Sequence, residues 1–123
     1  MKRLDNILLH DTLQLIKLNQ KALEIYKQHR ATQEKGDFYK EVKPFADKVR
    51  DICERWEPAA IEWVQKNKPP YINAIQLHNT SENIQMVSIR AFFPESSLKR
   101  FMSHVQSVDY VLNQLLDELQ SKK

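Results

Sequence analysis

The side chains of this sequence that could bind a metal ion are four histidines and a scatter of carboxylates. The histidines are His10, His29, His78 and His104. A di-iron centre in a helical bundle needs Glu-x-x-His on two helices and a glutamate on each of the other two. No Glu-x-x-His occurs here. If the helices are antiparallel, three of the imidazoles cannot converge on one site. We therefore expect no metal and no other cofactor.

Candidate nucleophiles are equally sparse. The single cysteine, Cys53, has no histidine near it in the sequence, and a helical cysteine at a core edge is usually a small, inert hydrophobic residue. Ser96 and Ser97 are typical of a helix cap. One glycine cannot form a phosphate-binding loop. The residues thus give no positive support for an enzyme, and we assign no catalytic residue.

Long helices must position these side chains. The clearest helical pattern in the sequence runs from Leu98 to Leu119. Its apolar residues recur every three, then four, positions, which is the spacing of a helix packed lengthwise against others. They are Leu98, Phe101, Val105, Val108, Leu112, Leu115 and Leu119.

Residues 38–67 carry the same repeat across two prolines. The repeat consists of Phe38, Val42, Phe45, Val49, Ile52, Trp56, Ala59 and Trp63. Because Pro44 and Pro58 lie off this stripe, we predict one long helix with a proline kink near Pro58. The alternative is that Pro44 is the first helical position and that 38–42 form a separate turn.

Breaks in the periodicity divide the remaining chain. Gly36 and Asp37 are typical of a helix stop followed by a helix cap. Pro69 and Pro70 end the second segment, and Pro94 suits the first turn of the last helix. We predict helices at about 3–34, 38–67, 73–92 and 95–120. Together they indicate an all-α, up-down-up-down four-helix bundle in which residues 1–123 form one domain.

The composition agrees with long helices and few tight turns. The chain has 123 residues, of which 41% are hydrophobic, 28% are charged and only one is glycine, and its formal net charge is +3. One cysteine cannot form an intrachain disulfide, which favours a reducing compartment. We see neither a secretory signal nor a run of 18 apolar residues, so we expect a cytoplasmic protein that does not span a membrane.

Five short motifs occur together along the chain. They are Asp37-Phe38-Tyr39, Val42-Lys43-Pro44, Arg55-Trp56, Lys68-Pro69-Pro70-Tyr71 and Lys99-Arg100-Phe101. In this order and spacing, from about Leu8 to Leu119, the chain resembles the YppE-like family of uncharacterised small proteins from Gram-positive Firmicutes. The resemblance implies a cytosolic four-helix bundle. It implies no activity and no site residue, because the family has none assigned.

A nucleic-acid partner would require a continuous basic face. Five basic residues of the second helix lie between positions 40 and 55, but acidic residues are interleaved with them, and this pattern is typical of a solvated helix face. The basic residues are Lys40, Lys43, Lys48, Arg50 and Arg55. Weak nucleic-acid binding therefore stays a distant alternative.

The third helix is apolar around much of its circumference. If Ile84, Val87 and Ala91 face the core, then Met86, Ile89 and Phe93 point elsewhere. Three such residues on the surface would form a patch for a protein partner or a homodimer. The alternatives are that this helix is more deeply buried, or that Phe92 and Phe93 close the end of the bundle.

Asp11 falls on the apolar stripe of the first helix. If Asp11 faces inward, it needs a basic partner. If the helix is rotated, Thr12 faces inward and Asp11 lies at the boundary. We interpret the protein as a non-catalytic protein-interaction module. The alternative is a ligand-binding or enzymatic bundle, which requires a polar cavity lined by Asp11 and a histidine or basic residue.

Overall fold

A computed structural model describes the backbone of residues 2–121 and the side chains of residues 5–121. It contains four α-helices, α1 (Lys2–Thr32), α2 (Lys43–Asn67), α3 (Ala74–Arg90) and α4 (Leu98–Ser121). A π-helical turn, Phe38–Val42, precedes α2. No strand occurs between residues 2 and 121, so the prediction of an all-α fold is confirmed.

The helices form a four-membered ring in which each is adjacent to its two neighbours in the sequence order, with α4 closing against α1. Side-chain hydrogen bonds show that α1 and the chain leading into α4 run in opposite directions. Asn19 donates to the carbonyl of Val105, and Tyr26 donates to the carbonyl of Ser96. The predicted four-helix bundle is therefore the observed architecture.

Helix α4 buries six of its seven predicted core residues. Leu98 is 48% exposed because it is the first residue of the helix. The repeat of the sequence also predicts a stripe on α3, formed by Leu77, Thr80, Ile84, Val87 and Ala91. All five residues are buried, although Thr80 is a poor helix former. The Thr80 hydroxyl donates to the Gln76 carbonyl at 2.8 Å, so this polar side chain can be buried with its hydrogen bond made inside the helix.

The turn after α1 differs from the prediction. Helix α1 ends at Thr32, and Gln33 adopts the left-handed conformation (φ 61°) that was expected of Gly36. Gly36 instead lies against Phe92. A Cβ at position 36 would be 2.7 Å from Phe92 Cδ1, and the Gly36 N–H donates to the Phe92 carbonyl at 2.8 Å. Asp37 caps the next turn by accepting from the N–H of Lys40.

The prolines also refine the prediction. Pro44 lies in the first turn of α2, and 38–42 form a separate turn, which is the alternative derived from the sequence. Helix α2 continues through Pro58, where the kink stays a prediction. Phe38 was assigned to the core but is 54% exposed. Pro94 does not begin the last helix, because α4 starts at Leu98.

The four described helices can also be judged against the thickness of a bilayer. None of them combines the length and the apolar character that a membrane crossing requires.

Candidate functional site

Asp11 and Arg55 form the most specific polar contact between α1 and α2. Arg55 Nε donates to Asp11 Oδ2 and Arg55 Nη2 donates to Asp11 Oδ1, both at 2.9 Å. The Asp11 side chain is 3% exposed, whereas that of Arg55 is 56% exposed. This hydrogen-bonded pair raises the pKa of Arg55. A buried carboxylate thus holds a half-exposed guanidinium in one orientation.

A second contact adjoins this pair. Trp56 Nε1 donates to Thr12 Oγ1 at 3.0 Å, and the Thr12 hydroxyl donates to the Leu8 carbonyl at 2.8 Å. Trp56 and Thr12 are fully buried. Because neighbouring residues on α1 bind neighbouring residues on α2, the two contacts fix both the rotation and the register of α1 against α2.

Beside the Asp11–Arg55 pair, the seam between α1 and α2 opens into a cavity of about 470 Å³, which we call the α1/α2 groove. This volume lies within the range of about 300–1,000 Å³ that small-molecule sites occupy. Apolar side chains from both helices and five charged groups line it. The described lining residues are Asp5, Ile7, Leu8, Asp11, Arg55, Ala59, Glu62, Trp63, Lys66 and Asn67.

Several polar groups line the groove. Its described lining contains no histidine, cysteine or hydroxyl side chain, so its titratable groups are three carboxylates, Arg55 and Lys66. Arg55 uses Nε and Nη2 on Asp11, and within residues 5–121 its Nη1 makes no hydrogen bond. The fixed arginine therefore has donors left for a ligand that enters the groove.

The sequence left the orientation of the Asp11 side chain undecided. The structure buries both Asp11 and Thr12, so the two orientations considered for α1 are not exclusive. The basic partner required by an inward Asp11 is Arg55. A cavity lined by Asp11 and a basic residue is also what the ligand-binding alternative requires.

The three residues of the predicted third-helix patch differ in exposure. Ile89 is 46% exposed, whereas Met86 and Phe93 are half-buried. Phe93 packs against the core cluster that includes Phe92. Phe92 is buried at the end of the bundle, where it contacts the ring of Phe45. The exposed part of the patch is thus mainly Ile89.

The remaining chemical candidates lie outside the groove. Burial raises the pKa of the Cys53 thiol to about 11. His78 Nδ1 lies 2.7 Å from Glu57 Oε2 and its Nε2 lies 3.3 Å from Glu82 Oε2, and the contact with Glu57 is the main cause of a raised His78 pKa. Between residues 5 and 121, no group of three or more His, Cys, Asp or Glu side chains could hold a metal ion.

Sequence reasoning missed Arg55, which it placed among the solvated basic residues of the second helix. The available indication was its position. Arg55 precedes the core residue Trp56, just as Asp11 precedes Thr12, and both contacts join residues 44 positions apart. Because the sequence does not supply the register of the two helices, this position alone could not identify the ion pair.

Comparisons with known proteins identify bacterial relatives of this chain. A family model described as a bacterial domain of unknown function (DUF1798) matches residues 12–119. The uncharacterized protein YppE of Bacillus subtilis is 25% identical over 116 residues, which is 94% of each chain. This similarity confirms the resemblance to the YppE-like family.

Solved structures agree on the fold. A Listeria innocua protein of unknown function has 35% identity and a TM-score of 0.93, with 99% of this chain and 98% of that chain covered. A Staphylococcus aureus domain of unknown function from the DUF1798 family has 24% identity and a TM-score of 0.82, covering 91% and 95%. All three relatives come from Firmicutes.

Proposed function

The chain belongs to the DUF1798 family of bacterial domains of unknown function, and from that premise we propose that it is a non-catalytic binding protein whose α1/α2 groove holds one small amphipathic molecule. The observation that supports this proposal most strongly is the groove itself, where a cavity of about 470 Å³ adjoins the Asp11–Arg55 pair. Apolar surface supplies binding energy, and a fixed polar group supplies orientation.

The proposal favours the ligand-binding alternative over a protein-interaction module. A partner protein typically covers about 800 Å² on each side of a stable interface. The groove is instead a concave space of the size that holds one small molecule. The orientation of Arg55 is already fixed by Asp11, so a ligand that contacts it does not have to immobilise a free arginine side chain.

A neutral probe tests the groove without regard to charge. N-phenyl-1-naphthylamine is an uncharged aromatic amine that fluoresces strongly in apolar surroundings. We expect saturable binding with one probe for each chain. Ala59→Trp should abolish it, because Ala59 lines the groove and an indole there would occupy the space.

The matched control is Gln65→Trp, which adds the same side chain at an exposed position of α2 outside the groove lining. Gln65→Trp should bind the probe as the unmodified chain does. Thermal unfolding of both variants would show that they fold. Probe binding that survives in folded Ala59→Trp, or no binding to the unmodified chain, would contradict the proposal.

The third-helix patch supports a second, weaker proposal, which is a contact between two copies of the chain through Ile89. Its exposure of 46% is the supporting observation. One half-exposed isoleucine offers far less area than a stable dimer buries, so self-association should appear only at high concentration. Ile89→Asp should leave the monomer folded and remove that association in light scattering. Unfolding of the variant would assign Ile89 to the core instead.

We also propose a cytoplasmic location. The support is the cysteine content of the chain. Its only cysteine, Cys53, is a buried free thiol, so the fold does not use an intrachain disulfide that an oxidising compartment would form. Fractionation of producing cells tests this proposal, and recovery of the protein outside the cytoplasm would contradict it.

A further inference from the structure

We infer that the occupant of the α1/α2 groove is an organic cation, in which an ammonium group is attached to an apolar body. This inference rests on the proposed function and adds the chemical class of the ligand. It follows from the arrangement of five charged side chains along the groove and from the aromatic residue among them.

The helix register places two carboxylates opposite each other. Asp11 contacts Arg55, and the two helices run in opposite directions from that contact. Asp5 is six residues from Asp11, or about 9 Å along α1, and Glu62 is seven residues from Arg55, or about 10.5 Å along α2. Asp5 and Glu62 therefore lie at nearly the same level on opposite sides of the groove, and both line it.

The charges of the groove do not cancel at that level. The described lining contains three carboxylates and two basic groups. Asp11 and Arg55 neutralise each other at 2.9 Å. Asp5 and Glu62 are both exposed, so they lie at a mouth of the groove, which they share with one ammonium of the described lining, that of Lys66. Neither carboxylate lies within 4 Å of a basic group among the described side chains. The remaining charge favours a cation.

Trp63 supplies the apolar surface next to these carboxylates. Its indole is 7% exposed and lines the groove one residue after Glu62. Indole is the aromatic side chain that attracts cations most strongly, and quaternary ammonium groups are commonly recognised by aromatic rings beside carboxylates. With Leu8 and Ala59 between the two charged levels, the groove offers an apolar compartment that ends in a negative mouth.

An anionic ligand would face an unfavourable arrangement. Its basic partners in the described lining are Arg55, whose charge is already balanced by the buried carboxylate of Asp11, and Lys66, which shares the groove with Asp5 and Glu62. An anion at Arg55 would also approach that carboxylate. Like charges at these distances repel, and the repulsion is strongest where solvent is excluded.

Three amphiphiles with the same alkyl chain test the inference on the full chain. Octyltrimethylammonium, octanoate and octyl glucoside carry positive, negative and neutral head groups. Each is titrated, well below its aggregation concentration, against the protein with bound N-phenyl-1-naphthylamine. We expect octyltrimethylammonium to displace the probe at a concentration at least about fivefold lower than octanoate, with added salt reducing the difference.

Two matched variants locate the charge. Glu62→Gln removes the carboxylate at the mouth and should weaken octyltrimethylammonium binding about two- to fivefold, as expected for one exposed charge. Glu54→Gln removes an exposed carboxylate of α2 outside the groove lining and should leave binding unchanged. Both positions are exposed, so neither change threatens the fold.

The outcomes distinguish an error in the ligand class from an error in the proposed binding function. If octanoate displaces the probe as well as octyltrimethylammonium does, the ligand class is wrong while the binding function stands. If both glutamate variants weaken binding equally, the attraction is a general surface effect and the inference fails. If the probe itself never binds, the proposed function fails and the inference falls with it.

Discussion

Helix α2 meets its two neighbours in different ways. Its contact with α3 is the most extensive in the bundle, whereas its contact with α1 is the least extensive of the four neighbouring pairs. Towards α3, its buried side chains include Cys53, which lies beside the Ser81 backbone. Towards α1 it presents Arg55 and Trp63.

The difference shows how side-chain size and polarity decide whether a seam closes. On α3, the hydroxyl of Ser88 donates to the carbonyl of Gln85 in the same helix, so a small polar residue is buried without needing a partner on α2. On the α1 side, Asp11 requires a partner from the opposite helix, and that partner is the long side chain of Arg55. A cross-helix ion pair beside a large indole leaves space that small residues would close.

The largest effect is expected from removing the ion pair. Arg55→Ala leaves the buried carboxylate of Asp11 without its two hydrogen bonds. We expect the free energy of unfolding to fall by about 2–3 kcal/mol, below the value for a fully buried pair because Arg55 is half-exposed. Urea denaturation provides the measurement.

Arg50→Ala is the matched control, because Arg50 pairs only with exposed Asp51 and half-exposed Asp47 on the same helix. Its loss should change the free energy of unfolding by less than about 1 kcal/mol. Equal effects from the two arginines would mean that the Asp11–Arg55 pair does not hold the open seam together.

A pair of leucine substitutions compares the two seams directly. Ser81→Leu adds three carbon atoms to the closed seam and should lower the free energy of unfolding by about 1–3 kcal/mol through overpacking. Ala59→Leu makes a similar addition in the groove, where space exists, and should change it by no more than about 1 kcal/mol in either direction. If Ala59→Leu were the more damaging change, the groove would not be open in solution.

The smallest effect concerns the surface of the closed seam. Glu57 of α2 raises the pKa of His78 on α3 above its ordinary value of 6.5. A raised folded-state pKa means that the folded chain binds the proton more tightly. The contact therefore stabilises the protein fully below the pKa of the unfolded state, and the contribution is lost as the pH rises through the folded-state pKa.

This dependence can be measured with His78→Gln. The difference in urea midpoint between the unmodified chain and the variant should be larger at about pH 5.5 than at about pH 8.5. Glu57→Gln should remove most of the pH dependence, because Glu57 is the main cause of the raised pKa. A difference that is constant with pH would show that the contact carries no linked proton.

The sequence was most informative where a single apolar stripe decides burial. In α4, the repeat predicts buried Val108 and Leu112 correctly, and in α3 it predicts buried Leu77 and Ile84. It was less informative where chain ends and turns decide. Phe38 continues the stripe of α2, yet it belongs to a separate turn and is 54% exposed.

The spacing of apolar residues in the sequence could not predict the α1/α2 groove, and the reason is physical. Asp11 could be identified as unusual because it interrupts a stripe on its own helix. Arg55 could not, because its role depends on the rotation and register of α2 against α1, and an exposed arginine has the same sequence pattern whether it is solvated or paired. The cavity follows from the distance between the helices, which the sequence does not give.

The single glycine has a consequence for engineering. Gly36 touches Phe92 so closely that even a methyl group at position 36 would displace the aromatic ring or the backbone. This contact packs the first interhelical turn against the third at one end of the bundle. Inserted peptides or a circular-permutation break should therefore be tolerated poorly there. The opposite pole is the better place to open the chain, at Tyr71, whose side chain is 82% exposed.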